Sequence, residues 1–337
     1  MINIKEKNDI ILNIEISKDS YAYTDLDNIF ISFISYNGIL TLIYATKNKS
    51  IISYDLNNFQ IITEIKNAHK GEYITNFNHF FDKYKKIDLI LSTSSINRVI
   101  KIWNNKNWDL ILTLENIYNT GRINSACFVQ NDLNNLSNNI FIITSNNFFS
   151  SPEKIKIFNL EGNHINDIEN SNENVYYINT FIDNKKIYII ACSYNYLISY
   201  DYAQNKLYKK YYIPNSKIHY SFEIISENPQ IKLISSSMNG TINIWGFYSS
   251  ELLQKFFVSN NSLYSICLLN KSQIFISSIN NIILFNIETG KKIKTIYGFN
   301  NWICCVKLIG HKKYGKCIIS QGIKNERVKL WKTKDLV

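Results

Sequence analysis

Polar and apolar residues alternate in short runs along this chain, and the run at MNGTINIWGF, residues 238 to 247, shows the unit most clearly. Asn239-Gly240 predicts a two-residue hairpin turn with positive φ angles, and Ile242, Ile244 and Trp245 predict a half-buried strand after it. A small-residue strand, a short polar turn and a β-rich strand ending on an aromatic recur in KNKSIISYD, INRVIKIWN, SPEKIKIFN, YNYLISYD, INNIILFN and NERVKLWK. The closing aromatics are Tyr54, Trp103, Phe158, Tyr200, Trp245, Phe285 and Trp331, separated by 49, 55, 42, 45, 40 and 46 residues. Self-similarity at such a period marks a repeat architecture, in which each copy buries its apolar faces against its neighbours.

In LSTSSINRVIKIWN and LISSSMNGTINIWG the chain resembles the WD40 family, and the other five copies follow the pattern more loosely. The resemblance covers essentially the whole chain. It implies an all-β fold, a seven-bladed WD40-type β-propeller of four-stranded antiparallel blades forming a single domain over residues 1–337. Several family positions are changed. The Trp-Asp pair is never intact, Asp55 and Asp201 following tyrosine instead, and the turn aspartate is Asn97 in the second copy and Asn239 in the fifth. Only His69 is placed for the histidine that in the family helps staple a blade through serine and aspartate, so packing is expected to hold the other blades. The last copy ends at WKTKDLV without a fourth strand, and DIILNIEI, residues 9 to 16, is expected to complete that blade from the N-terminus and remove two open sheet edges. NDLNNLSNN at 131 to 139 and SNNFFSSPEK at 145 to 154 are expected to be loops.

Composition narrows the function classes. With 337 residues, 45% of them hydrophobic, and only 3 Pro and 11 Gly, the chain is globular. Its opening residues lack the continuous apolar region of a secretory signal, and no window approaches a membrane span, so a cytoplasmic or nuclear protein is expected. Cys127, Cys192, Cys267, Cys304, Cys305 and Cys317 sit in apolar runs with no CxxC spacing and read as reduced core residues. GHKKYGKC at 310 to 317 matches a phosphate-loop pattern except at its last position, but strand-like runs flank it on both sides, so a lysine-rich hairpin connection is expected. The five histidines, His69, His79, His164, His219 and His311, are scattered over different copies. No enzyme activity, metal, cofactor or small-molecule substrate is therefore expected.

The net charge of +10 comes mostly from dispersed lysines, the only arginines being Arg98, Arg122 and Arg327. Such a surface attracts phosphates, which keeps RNA or anionic phospholipid as an alternative partner. The phosphoinositide-binding propellers use a paired-arginine motif that is absent here. The resemblance favours an interaction scaffold that binds a peptide or protein domain where the loops entering each blade converge on the channel. Tyr73, Arg122, Tyr177, Tyr220, Tyr264 and Trp302 stand at those positions, and they belong to residue types that often anchor interfaces. Each aromatic also has a plain reading as a wedge between blades. If they are anchors, alanine at Trp302 or Tyr264 should weaken partner capture and leave the melting temperature nearly unchanged.

Overall fold

The structure, a computed structural model, describes residues 10–14, 30–35, 37–46, 49–82, 85–94, 97–130, 140–147, 152–169, 171–194, 196–212, 219–227, 230–297, 299–322 and 328–333. These residues form 28 strands in seven four-stranded antiparallel sheets, with no helix among them. The sheets are the blades of a seven-bladed β-propeller, numbered 1 to 7 in chain order. Within blades 1 to 6 the strands follow one another across the sheet, and the first strand of each lies innermost. The inner strands are Phe30–Ile34, Ile74–Asp82, Arg122–Gln130, Val175–Asp183, His219–Glu227, Ser265–Leu268 and Ile303–His311. Each packs beside the next, and the first closes the ring against the seventh.

Among the described residues, the C-terminal part of the chain gives blade 7 three strands. Its outer edge is filled by Ile10–Ile14, which pairs antiparallel with Val328–Lys332 through Ile10↔Trp331, Leu12↔Leu330 and Ile14↔Val328. The N-terminal strand thus completes the last blade as expected over residues 10 to 14; the rest of the expected span 9 to 16 lies outside the described residues.

The recurring aromatics follow from blade stacking. A blade in a ring has a neighbour on both faces, so its third strand is buried on both sides. Thr241–Gly246 is buried at every position but the last, which corrects the expected half-buried strand: its alternation separates two interfaces rather than core from solvent. Trp245 and Leu233 pack against Tyr211 and Leu197 of blade 4, whereas Ile242 and Ile244 pack against Leu263 and Ile266 of blade 6. Trp103, Phe158, Tyr200, Phe285 and Trp331 likewise face the preceding blade, and Tyr54 faces blade 7 across the closure. Seven apolar clusters result, one in each gap between blades. The outer strands are mostly exposed, as Leu252–Phe257 shows.

The three closing tryptophans are fixed at their polar ends as well. Trp103 Nε1 donates to Ser92 Oγ at 2.8 Å, Trp245 to Ser235 at 3.2 Å and Trp331 to Ser320 at 2.8 Å. These bonds satisfy an indole N–H that would otherwise be stranded in the core. The small residues of the second strands supply the hydroxyls.

The turn after the second strand of blade 5 departs from the expected form. Gly240 has φ +75°, but Met238 and Asn239 are not left-handed, and Gly240 N closes the turn on Ser237 O at 3.2 Å. Asn239 instead accepts side-chain hydrogen bonds from Ser237 and Thr241. Lys312–Tyr314 forms the tight connection of a hairpin that pairs His311 with Gly315, as expected for GHKKYGKC. His311 is fixed there, donating from Nε2 to Leu56 O at 3.0 Å and accepting from Lys313 N at 3.1 Å. The strand Ile140–Asn147 extends into the segment expected to be a loop from 145, and residues 131 to 139 lie outside the described residues. The six cysteines are buried free thiols.

Candidate functional site

All seven inner strands begin on one face of the ring, here the upper face, and each turn between a second and a third strand returns to it. Ladder register aligns the copies. Ile74↔Ser94, Ile123↔Asn146 and Ile303↔Gly322 are equivalent pairs in blades 2, 3 and 7. Tyr73, Arg122 and Trp302 each precede the first residue of these pairs and so occupy one position in three blades. Tyr220 and Tyr264 are equivalent to each other, one residue before Ser221↔Ser236 and Ser265↔Ser277, and Tyr177 is one residue deeper.

Four of the six residues come together. Tyr220 and Tyr264 stack at 5.2 Å between centroids and 26° between planes, and Tyr264 stacks on Trp302 at 5.7 Å and 19°. One continuous aromatic stack therefore spans blades 5, 6 and 7. Tyr177 of blade 4 meets Phe222 at 5.5 Å beside it. The two remaining residues sit on other blades. Tyr73 lies under the ammonium group of Lys49, 5.2 Å from its ring centroid, and Arg122 is exposed at the start of the inner strand of blade 3.

Burial divides the stack. Tyr264 is 6% exposed and Tyr220 9%, so they act as wedges between blades, while Trp302 keeps part of its surface accessible. The expectation that truncating Tyr264 leaves the fold untouched is accordingly replaced: its removal opens a cavity and should cost about 3 kcal/mol or more.

Below the stack lies a small cavity of about 30 Å³ lined by Tyr177, Tyr220, Glu223, Tyr264, Cys304 and Lys307. Burial raises the Glu223 carboxyl to about 7, against the opposing pull of Lys307. Burial lowers the Lys307 ammonium, but nearby acidic groups outweigh it and hold the group above its ordinary range; Glu223 is the one among them that carries charge near neutrality. The Tyr177 hydroxyl is pushed up to about 12, chiefly by burial. This channel-side pair stands two blades apart, and neither residue belongs to a motif, so register across the closed ring is needed to see it.

His69 occupies the staple position predicted for it. Its Nε2 lies 2.8 Å from Ser92 Oγ, which also takes the Trp103 N–H. Asn97, at the position of the family's aspartate, is exposed instead of completing the chain of bonds, and His69 Nδ1 is buried with no partner among the described residues. Burial first and the charge of Lys101 second lower the His69 pKa to about 3, so the ring is neutral.

No group of three histidine, cysteine, aspartate or glutamate side chains is placed to hold a metal among the described residues, and no helix among them is long and apolar enough to cross a membrane. The arrangement offers flat π surface, a partly accessible indole and isolated charges.

No protein-family model matches the chain. No curated protein matches it either. Among solved structures it is similar to the crystal structure of the computationally designed Ika8 protein, with a TM-score of 0.63 and 13% identity over 96% of this chain and 99% of that one. At that identity the likeness concerns the fold alone. Fold and upper face together define a seven-bladed β-propeller with an aromatic stack at its channel mouth.

Proposed function

We propose that the chain is a non-catalytic interaction scaffold of the WD40 type that docks a peptide or protein domain on the upper face at the channel mouth. The observation that carries this reading is the Tyr220–Tyr264–Trp302 stack, which holds a partly accessible tryptophan rigidly on two buried rings. A pre-ordered aromatic anchor loses little side-chain entropy on binding, which is why such residues dominate interfaces. Buried free thiols in all six cysteines fit the reducing cytoplasm or nucleus. Tyr73 and Arg122 extend the face on blades 2 and 3.

The test is affinity purification from the native organism with wild type and Trp302→Ala side by side, with melting curves for both. A specific partner should be lost from the variant at a binding cost of about 2 kcal/mol, with a smaller change in stability than Tyr264→Ala produces. Equal partner recovery from wild type and Trp302→Ala would move the docking surface elsewhere. The net charge of +10 supports a second reading, RNA or anionic phospholipid. If that charge is diffuse, binding to single-stranded RNA or anionic vesicles fades near physiological salt; selective binding that persists there replaces the first reading.

A further inference from the structure

Blades 2 and 3 share one lysine anchor and differ in what lies beside it. Lys101 and Lys156 each stand two residues before the closing aromatic. Lys101 Nζ donates to Ala68 O at 2.6 Å, and Lys156 Nζ donates to Ile117 O at 2.7 Å; the two carbonyls are equivalent by ladder register. In blade 3 a carboxylate completes the group. Glu153 accepts from Lys156 at 3.2 Å and from the backbone N–H groups of Asn119 at 2.7 Å and Thr120 at 3.0 Å. The residue equivalent to Glu153 in blade 2 is Arg98, five residues before Trp103.

The exchange leaves a cavity of about 230 Å³ lined by His69, Lys70, Asn97, Arg98, Lys101 and Glu115 among others. Asn67 takes over the backbone groups that Glu153 caps in blade 3, receiving Lys70 N at 3.1 Å and Gly71 N at 2.5 Å. Arg98 donates from Nη1 to Asn119 O at 3.0 Å, and no carboxylate stands at the place of Glu153 to meet the other side-chain donors. Among the described residues His69 Nδ1 and Arg98 Nε are buried without hydrogen-bond partners, and His69 is only 3% exposed. Ser92 Oγ accepts the Trp103 N–H and bonds His69 Nε2, so the second ring nitrogen, Nδ1, is the one turned to the cavity; with Ser92 as the donor to Nε2, the neutral ring carries its proton there. The Arg98 Nε–H donor, the unpartnered His69 Nδ1 and the remaining valences of the Lys101 ammonium border one space, with Lys70 beside them and Glu115 the one acidic residue in the lining. Donors left unpaired in this way are costly, and a charge-assisted acceptor removes the cost.

We propose that this cavity binds an oxyanion, the carboxylate or phosphate of an acidic side chain on a bound peptide, which takes in blade 2 the place that Glu153 fills in blade 3. The proposal does not rest on the aromatic stack being a docking surface.

The full chain, labelled with 15N-histidine, tests it at constant ionic strength. The probes are inorganic phosphate and two otherwise neutral peptides, one with a single glutamate and one with a single phosphoserine. Saturable movement of the His69 ring resonances is expected, weakened roughly tenfold or more by Arg98→Gly. Glycine suits this position, because Arg98 has φ +53° and glycine already occupies the equivalent Gly240. Lys255→Gln, which removes one charge from an exposed outer strand of blade 5, should leave the affinity unchanged. A tighter phosphoserine peptide assigns the site to phosphate and a tighter glutamate peptide to carboxylate, both within the proposal. Absence of saturation, an equal response to chloride or equal weakening by Lys255→Gln overturns it. A His69 shift produced by Glu115→Gln and by none of the probes also overturns it, assigning the cavity to the chain's own carboxylate.

Discussion

Blades 2 and 5 come from the two copies that show the repeat pattern most clearly, and they share a frame while presenting different chemistry at the upper face. In both, a serine of the second strand receives the indole N–H of the closing tryptophan, and in both the residue five before that tryptophan is left-handed. That residue is Gly240 in blade 5 and Arg98 in blade 2. Blade 5 adds Tyr220 to an apolar stack, whereas blade 2 adds His69, Arg98 and Lys101 to a polar cavity. The shared serine and tryptophan therefore belong to the scaffold. Function is to be sought in what the copies do not share.

The largest expected effect tests the claim that one turn geometry carries different side chains in the two blades. At Gly240 an added Cβ would run into the carbonyl of Ser259, on a backbone with φ +75°. Gly240→Ala should cost about 4 kcal/mol, combining left-handed strain with displacement of a packed loop. Arg98→Gly, the reverse exchange at a φ of +53°, should cost far less, because glycine adopts this backbone without strain. Urea melts of the two variants check this. Equal losses would mean that the turns are not equivalent.

Acid should also separate the two blades. His69 has its pKa lowered to about 3. In the unfolded chain the ring takes up a proton as pH falls through about 6.5, whereas in the folded chain it stays neutral. The unfolded state then binds more protons, so this contribution to stability is complete above about 6.5 and is lost as pH falls towards 3. Between pH 7 and 5 the loss is about 2 kcal/mol. Glu223 acts with the opposite sign, since a carboxyl raised to about 7 is relieved by acid. The measurement is accordingly a difference: chemical denaturation of wild type and His69→Gln over that range should show the slope of the wild type reduced in the variant. An unchanged slope would show His69 to be accessible to protons in the folded state.

Much of the frame could be read in the amino-acid order, because each copy repeats its own local pattern. All seven closing aromatics fall on third strands, and the seventh blade's missing strand is supplied from residues 10 to 14. The alternation in TINIW was legible, but its meaning required two neighbouring blades, since a strand between two apolar interfaces can alternate like one between core and solvent. The site was less legible for the same reason. Tyr220, Tyr264 and Trp302 could be placed at strand starts, but their stacking depends on how blades lean on one another across about 40 residues of sequence. Glu223 and Lys307 face a common space only once the ring has closed. That Asn97 stands in the turn where an aspartate was expected could be read in the sequence; that Asn97 is exposed and His69 Nδ1 left without a partner among the described residues could not.

The smallest expected effect asks whether the shared serine does the same work in both blades. Ser235 receives the Trp245 N–H at 3.2 Å, so Ser235→Ala leaves one buried donor unpaired and should cost about 1 to 2 kcal/mol. Ser92 receives the Trp103 N–H and also bonds His69 Nε2, so Ser92→Ala leaves two buried groups unpaired within one network. It should cost about 1 kcal/mol more than Ser235→Ala. A double-mutant cycle of Ser92→Ala with His69→Gln separates the two bonds, because the extra cost should vanish when His69 is already gone. If the excess survives in the double variant, it resides in packing around Trp103, and His69 is held by its burial rather than by the serine.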